Sequence, residues 1–454
     1  MKLYNILLLL VFLVFACTMK PDSPSISIPE KGPIQLHPEN PHYFLYKGDA
    51  LALITSAEHY GALINLDFNY QQYLETLAAE GMNYTRIFTG TYFEIPGESF
   101  GIQKNTLAPQ PGRVIAPWKE VEKGEDGRWN YDLSQWNPAY FERLKDLMSL
   151  ASEKDIIVEV TLFSSIYRQE HWDISPQNPV NNVNIDHEVS LKQAHTPNNG
   201  ELLAFQELFV RKMVQELNEF DNFFFEIQNE PWSDHAIPVY NINNKEELRA
   251  NDWTFKADFA DEKSMTWQTM IAGFIVDEES QLPKKHLIAQ NYTNFKAPIP
   301  KVGDNISIIN FHYAWPEAAE WNYHYNRVLG FDESGFAGSG DKVYRRQAWR
   351  FMLSGGGLFN NLDYSFYAGE EDGDGKNNAP GGGSKELRKQ LKILSDFLHD
   401  FELEGMNPDK TVAGSSPGLI PYILSDGGDN YAIFLRAVGT TKTHLEMKTG
   451  PGEY

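Results

Sequence analysis

Eight short apolar runs, rich in β-branched and aromatic residues, recur along the chain, and most are followed by a longer amphipathic stretch. They occupy residues 50–56, 82–88, 156–163, 223–231, 286–291, 306–312, 327–333 and 357–364. Continuous apolar runs of this length fit strands buried on both faces, the habit of a parallel sheet. The intervening stretches carry helix punctuation. One over 70–80 stops at Gly81, and one over 138–155 opens with Pro138, whose missing N–H is harmless in a first helical turn. Further helices are expected over about 200–219, 262–280, 341–353 and 384–402. Strand and helix alternating eight times predict an α/β fold, a closed (β/α)8 TIM barrel. The competing open, doubly wound sheet calls for a Gly-rich phosphate loop after its first strand, and none follows residue 56.

The chain is 454 residues long, enough for such a barrel with additions. At the front, Lys2 precedes a ten-residue apolar run over 6–15, too short to span a bilayer at roughly 20 residues but suited to a secretory signal. Val14-Phe15-Ala16-Cys17 resembles the lipobox of bacterial lipoproteins, which implies lipidation of Cys17; a plain signal peptide with an incidental Cys is the alternative. Cys17 is the single cysteine, so no intrachain disulfide can form. The expected organisation is a lipoprotein signal over 1–17, a Pro/Ser-rich flexible tether over 18–32, the catalytic barrel over 33–404 and a C-terminal β segment over 405–454. That last segment, sandwich-like in its Gly- and Asp-rich turns, offers strands over 419–424, 431–437 and 444–448. Three strands are too few for an independent sandwich. Either a strand near 25–36 joins them or the accessory domain stops partway. The working domain is expected outside the cytoplasm, periplasmic or at the cell surface, held to a bacterial membrane by its lipid anchor. A net charge of −23 repels phosphate backbones, so no nucleic-acid partner is expected and a neutral substrate fits best.

Chemistry concentrates at strand ends, where the mouth of such a barrel lies. In FFFEIQNEPW, strand alternation puts Glu226, Gln228 and Glu230 on one face, Glu226 deep and Glu230 at the rim. A deep Glu needs a cationic partner, for which Arg86 is a candidate. Glu333 ends the seventh run. Two carboxyl groups facing each other about 5–5.5 Å apart suit a retaining glycosidase, one attacking the sugar carbon and the other handling the leaving oxygen. The charge of Glu333 is expected to keep Glu230 protonated. Asp332, of opposite parity to Glu333, is expected in a salt bridge or helix cap.

Asn229-Glu230-Pro231-Trp232 after a buried strand, with Glu333 three strands on, resembles the clan A glycoside hydrolases and, among them, the cellulase-like family 5. The phrase TSAEHYGALINLDFNY, with YTRIFTG beyond it, resembles bacterial cellulase-like lipoproteins. The resemblance covers roughly residues 33–400. It implies Glu230 as acid/base, Glu333 as nucleophile, Asn229 reaching the sugar 2-hydroxyl, and Arg86, His312 and Tyr313 around them. Two family marks are replaced. Leu162-Phe163-Ser164 stands where a His usually ends the third strand, and Asp363-Tyr364-Ser365-Phe366 where a Trp usually follows the eighth.

Further candidates for sugar binding are His59 and Tyr60 after the first run, and Trp172, Trp232 and Trp315 as stacking surfaces in loops. Turn formation and core packing are the competing roles. The acidic run Glu370–Gly375 lacks the closing bidentate Glu of a calcium loop, and the His and Cys residues form no zinc pattern, so no metal or cofactor is expected. The reading is a retaining glycoside hydrolase acting on a neutral β-linked glycan, β-glucan first, mannan or a galactoside next. Its rivals are an inactive glycan-binding surface lipoprotein on the same barrel and an inverting enzyme using other carboxylates.

Overall fold

The computed structural model describes residues 31–439 and 443–448, apart from 98, 124–128, 241–255 and 377–378. The expected leader, Cys17 and nearly all of the tether lie outside the described residues.

Eight parallel strands form the barrel: β1 Leu53–Ala57, β2 Tyr84–Phe88, β3 Ile157–Ser164, β4 Phe223–Asn229, β5 Ile288–Asn294, β6 Ile308–His312, β7 Val328–Ser334 and β8 Leu358–Leu362. Their hydrogen-bonded order is β1-β8-β7-β6-β5-β4-β3-β2. The remaining seam, between β1 and β2, is sewn by a side chain. Asn83 accepts from Ile54 N at 2.9 Å and donates to Ala52 O at 2.9 Å, and Phe88 N reaches Tyr60 O at 3.0 Å at the upper end.

Helices α1 Tyr70–Ala79, α2 Pro138–Glu153, α3 Leu202–Leu217, α4 Glu262–Glu279, α5 Pro316–Asn322, α6 Asp341–Met352 and α7 Lys385–His399 follow every strand except β5. Residues 295–307 carry the chain from β5 to β6 without a helix. Side-chain caps fix several starts: Asn69 on α1, Asn137 ahead of Pro138 on α2, Asp261 on α4 and Ser384 on α7 each accept a backbone N–H.

The barrel floor is apolar. Leu53, Tyr84, Ile157, Phe224, Ala289, Ile308, Val328 and Leu358, one from each strand, pack with Ile34, Phe44 and Tyr46. The last three belong to an N-terminal sheet of Gln35–Leu36, Phe44–Tyr46 and Asp49–Leu51 and its approach, which plugs the bottom. The N-terminal strand therefore closes the barrel rather than joining the C-terminal segment. That segment forms its own antiparallel sheet, Asn407–Pro408, Leu419–Ser425 and Tyr431–Ala437. It leans on α6, where Trp349 stacks on Phe434 at 5.6 Å and Arg350 Nε donates to the Tyr422 hydroxyl at 2.9 Å. The strand expected over 444–448 is reduced to one bridge, Met447 to Ala413. The acidic run over 370–375 has a packing role: the Glu371 carboxylate accepts the backbone N–H groups of Asn69 and Gly369.

Candidate active site

Above the apolar floor the barrel interior turns polar around Arg86. Its Nε and Nη2 donate to the two oxygens of Glu226 at 2.8 and 2.7 Å, Nη2 also reaches Asn229 Oδ1 at 2.9 Å, and Nη1 lies 3.3 Å from Glu333 Oε2. All four residues are buried. Glu226 is completed by Thr161 and Asn291. One guanidinium thus anchors a deep carboxylate and orients two groups at the rim, as expected of a fork with fixed donors.

Strict alternation fails at the end of β4. Gln228 turns away from the mouth, donating to Asp234 Oδ2 at 2.9 Å beside His195, while Asn229 and Glu230 face inward. Glu230 itself adopts φ 46°, ψ 52°, a left-handed conformation held from both sides. Its N–H donates to Asn291 Oδ1 at 3.0 Å and its carbonyl accepts from Ser165 Oγ at 2.5 Å. Pro231 then starts a single helical turn. Tyr60, Phe295, Tyr313 and Phe336, at or just past other strand ends, share the positive φ. Strain of this kind persists only where surroundings over-determine it.

Parity also fails in β7. The register slips between Phe331 and Ser334, so Asp332 and Glu333 both serve the interior. Asp332 Oδ2 is 3.6 Å from Arg86 Nη2 and 3.4 Å from His312 Nε2, the salt bridge expected of it, but inside the barrel.

One oxygen of Glu230 and one of Glu333 lie within 4.8 Å of each other and of a His312 ring nitrogen. Glu230 Oε1 faces His312 Nδ1 at 2.9 Å, and its Oε2 accepts from the Tyr167 hydroxyl at 2.9 Å. Glu333 Oε1 accepts from the Tyr313 hydroxyl at 2.8 Å, and its Oε2 is 3.5 Å from His312 Nδ1. Burial raises both carboxyls, but the outcomes diverge. Glu333 is pushed up to about 7 by desolvation and by the charge of Glu230. Desolvation of Glu230 is outweighed by the hydrogen bond and charge of His312, with help from Tyr167, which hold it below the usual carboxylate range. His312 is buried, yet the charges of Glu333 and Asp332 raise it well above an ordinary imidazole. The shift at Glu230 is thus downward, opposite to the one expected, because the His312 cation sits closest to it. The trio Glu230, His312 and Glu333 has metal-ligand spacing, but the guanidinium beneath and the charged imidazole disfavour a divalent cation.

The other expected positions divide. His59 and Tyr60 line the cavity over the pair, Tyr60 with its ring 4.6 Å from the Arg86 guanidinium. Neither His59 ring nitrogen has a partner among the described residues. Trp232 lines an adjoining cavity. Trp172 does not reach either one: it is buried with its indole N–H on Val189 O, a packing role. Trp315 stands 38% exposed with Lys296 Nζ 4.1 Å over its ring, also outside both cavities. Sequence reading missed Tyr167, which donates to Glu230 and accepts from Asn229 Nδ2 at 2.8 Å, and Glu94, a buried carboxyl in the cavity wall. Both sit in loops, where no periodicity marks them.

No protein-family model matches the chain, and no curated protein matches it in sequence. Solved structures do match. A glycoside hydrolase family 5 structure from Bacteroides vulgatus aligns at TM-score 0.52 and 11% identity over 87% of this chain and 78% of its own. A structure described as a glycoside hydrolase aligns at TM-score 0.52 and 10% identity over 93% and 94%. A second Bacteroides vulgatus protein, provisionally assigned as a glycoside hydrolase, aligns at TM-score 0.53 and 13% identity over 81% of this chain and 61% of its own, so this chain spans about three fifths of its length. The shared property is the fold, a (β/α)8 barrel.

Proposed function

We propose that the protein is a retaining glycoside hydrolase that cleaves a neutral β-linked glycan by double displacement. The observation carrying this reading is the pairing of Glu230 and Glu333 within 4.8 Å at the C-terminal mouth of the barrel, each held by its own hydroxyl donor. Such closeness suits attack by one carboxylate on the sugar and leaves little room for the water that an inverting pair at roughly 6.5–9.5 Å would activate. Glu333, oriented by Arg86 and Tyr313, is the nucleophile, and Glu230 is the acid and then the base. The pair and His312 titrate as a unit. As positive charge develops at the sugar carbon, it favours the ionised form of Glu333, and the shared proton moves to Glu230 and the leaving oxygen. His312 Nδ1, in reach of both carboxylates, supports that transfer. Asn229, fixed by Arg86 and Tyr167, is placed to meet a hydroxyl next to the reacting carbon. β-Glucan is the first candidate, mannan or a galactoside the next. In the same reading the protein acts outside the cytoplasm, tethered through a lipid on Cys17.

The test is release of nitrophenol from a panel of aryl β-glycosides by wild type and Glu333→Ala, with proton NMR of the first-formed anomer. Retention of configuration, lost activity in Glu333→Ala and a trapped glycosyl-enzyme on Glu333 are expected. Inversion would sink the double displacement. Tight glycan binding without turnover across the panel would favour the inactive binder.

A further inference from the structure

The cavity over the carboxyl pair has two halves, and the acid and nucleophile tell them apart. Glu230 protonates the leaving oxygen, so the leaving group must lie on its side; the sugar that becomes bonded to the protein must lie over Glu333. A cavity of about 710 Å³ is bordered by Glu230, Trp232, Ser233, Asp258 and Asn294, and not by Glu333. It is the leaving-group side. The smaller cavity, about 410 Å³, takes in Glu333 as well as Glu230, with His59 and Tyr60, and its lining includes Glu94, Ile102 and Leu107.

These last three form a wall. Glu94, Ile102 and Leu107 are all at least 96% buried. They belong to the long loop after β2, which is stitched to the loop after β1: Thr106 Oγ donates to Glu58 Oε2 at 2.7 Å, Asn65 Nδ2 donates to Thr106 O at 3.2 Å, and the Glu58 carboxylate also accepts from Gly61 N and Ala62 N at 3.0 Å. Gly61 is obligatory in this seam, since a Cβ there would stand 2.1 Å from Thr106 O. Glu94 itself is clamped by the Tyr92 hydroxyl at 3.0 Å and by Asn105. His59, which lines the same cavity, has two buried ring nitrogens with no hydrogen-bond partner among the described residues. A buried imidazole left unpaired beside a small cavity is a group that a bound hydroxyl would satisfy, and Glu94 stands in the same lining with its carboxylate fixed in place.

We propose that this enzyme is exo-acting: the walled half holds one non-reducing terminal sugar, and Glu94 with His59 reads its hydroxyls farthest from the scissile bond. The proposal rests on the double-displacement reading above. A glycan continuing beyond that sugar would leave through those same hydroxyls and run into Glu94 and Leu107, so internal bonds cannot reach the carboxyl pair. Specificity follows from the same contact, because a site built to bond a hydroxyl rejects the substituted or missing one strongly.

The experiment uses the full chain and β-linked pentasaccharides of glucose, mannose and galactose labelled at the reducing end, each also with a 4,6-O-benzylidene cap on the non-reducing sugar. Expected at low conversion is a labelled product one sugar shorter from the cleaved series, with its capped form untouched. Mid-length labelled fragments, or hydrolysis of the capped form, would overturn exo action. Glu94→Ala should lower kcat/KM on the uncapped pentasaccharide roughly 100-fold, as for one or two charge-assisted hydrogen bonds; a change under twofold would remove Glu94 from the proposal. The product pattern of the unsubstituted protein stands whether or not the variant folds. Aryl glycoside hydrolysis that Glu333→Ala abolishes checks the underlying reading separately. Internal cleavage with that control intact defeats only the exo assignment, and absence of all hydrolysis defeats both.

Discussion

Tyr167 gives the Glu230 carboxylate a hydroxyl donor at 2.9 Å and at the same time fixes the amide of Asn229. Removing that donor withdraws a bond that favours the ionised form, so the acid limb of the kcat/KM profile should move to higher pH in Tyr167→Phe. A loss of about fivefold in kcat/KM is expected, near 1 kcal/mol for one hydrogen bond. An unchanged profile would show that Tyr167 only packs. In the unsubstituted protein the basic limb should lie near pH 7, where Glu333, raised to about 7, gives up the proton that the pair shares. Above it both carboxyls are ionised and no acid remains for the leaving group. Glu94 is also raised to about 7, by burial, so Glu94→Gln should keep that limb if the pair is its source. At this scale the sequence was partly legible. Glu230 and Glu333 announce themselves because they end buried strands, where few charges are tolerated. Tyr167 and Glu94 stand in loops among many aromatics and acids, and only the folding of distant segments gives them a role.

Strands decide which side chains enter the site, and here two irregularities overrule alternation. The slip in β7 turns Asp332 inward beside Glu333, and the left-handed turn at Glu230 brings the acid to the mouth while Gln228 faces away. Sequence periodicity located all eight strands to within a few residues, because burial on both faces leaves a strong apolar signal. It could not locate a bulge, which changes direction without changing composition. Closure of the sheet is another matter of single residues. Asn83 bridges β1 and β2 with both its amide atoms, satisfying Ile54 N and Ala52 O. Asn83→Ala leaves a buried donor and acceptor unpaired, at roughly 1–3 kcal/mol each. Chemical denaturation should show about 2–4 kcal/mol lost, and activity should fall as His59 and Arg86, carried just beyond and within these strands, lose their common frame. Gly330→Ala should be comparably harmful, since its Cβ would lie 2.1 Å from Asn310 Oδ1 in the barrel interior.

Across the whole molecule, burial of carboxyl groups ties stability to pH. Glu58, Glu94 and Glu333 have their ordinary value of 4.5 raised to about 7 in the folded chain. The folded state therefore binds more protons than the unfolded one between those two values. The stability contributed is fully present below the unfolded value and is lost as pH rises through 7. Glu230 and Asp332, held low by His312 and Arg86 against desolvation, act in the opposite sense and lose their contribution in strong acid. The two slopes leave a maximum in mildly acidic solution. Between pH 5.5 and 8 the three raised groups should cost roughly 6 kcal/mol at 1.4 kcal/mol per unit. For a chain of 454 residues this corresponds to about 6 °C in Tm. Calorimetry at the two pH values should find the higher Tm at 5.5, and Glu94→Gln should remove about a third of the difference. The net charge of −23 adds self-repulsion that also grows with pH, but that contribution is shared by every variant and is screened by salt. A difference that vanishes in high salt and ignores Glu94→Gln would assign the effect to the surface instead of the pocket.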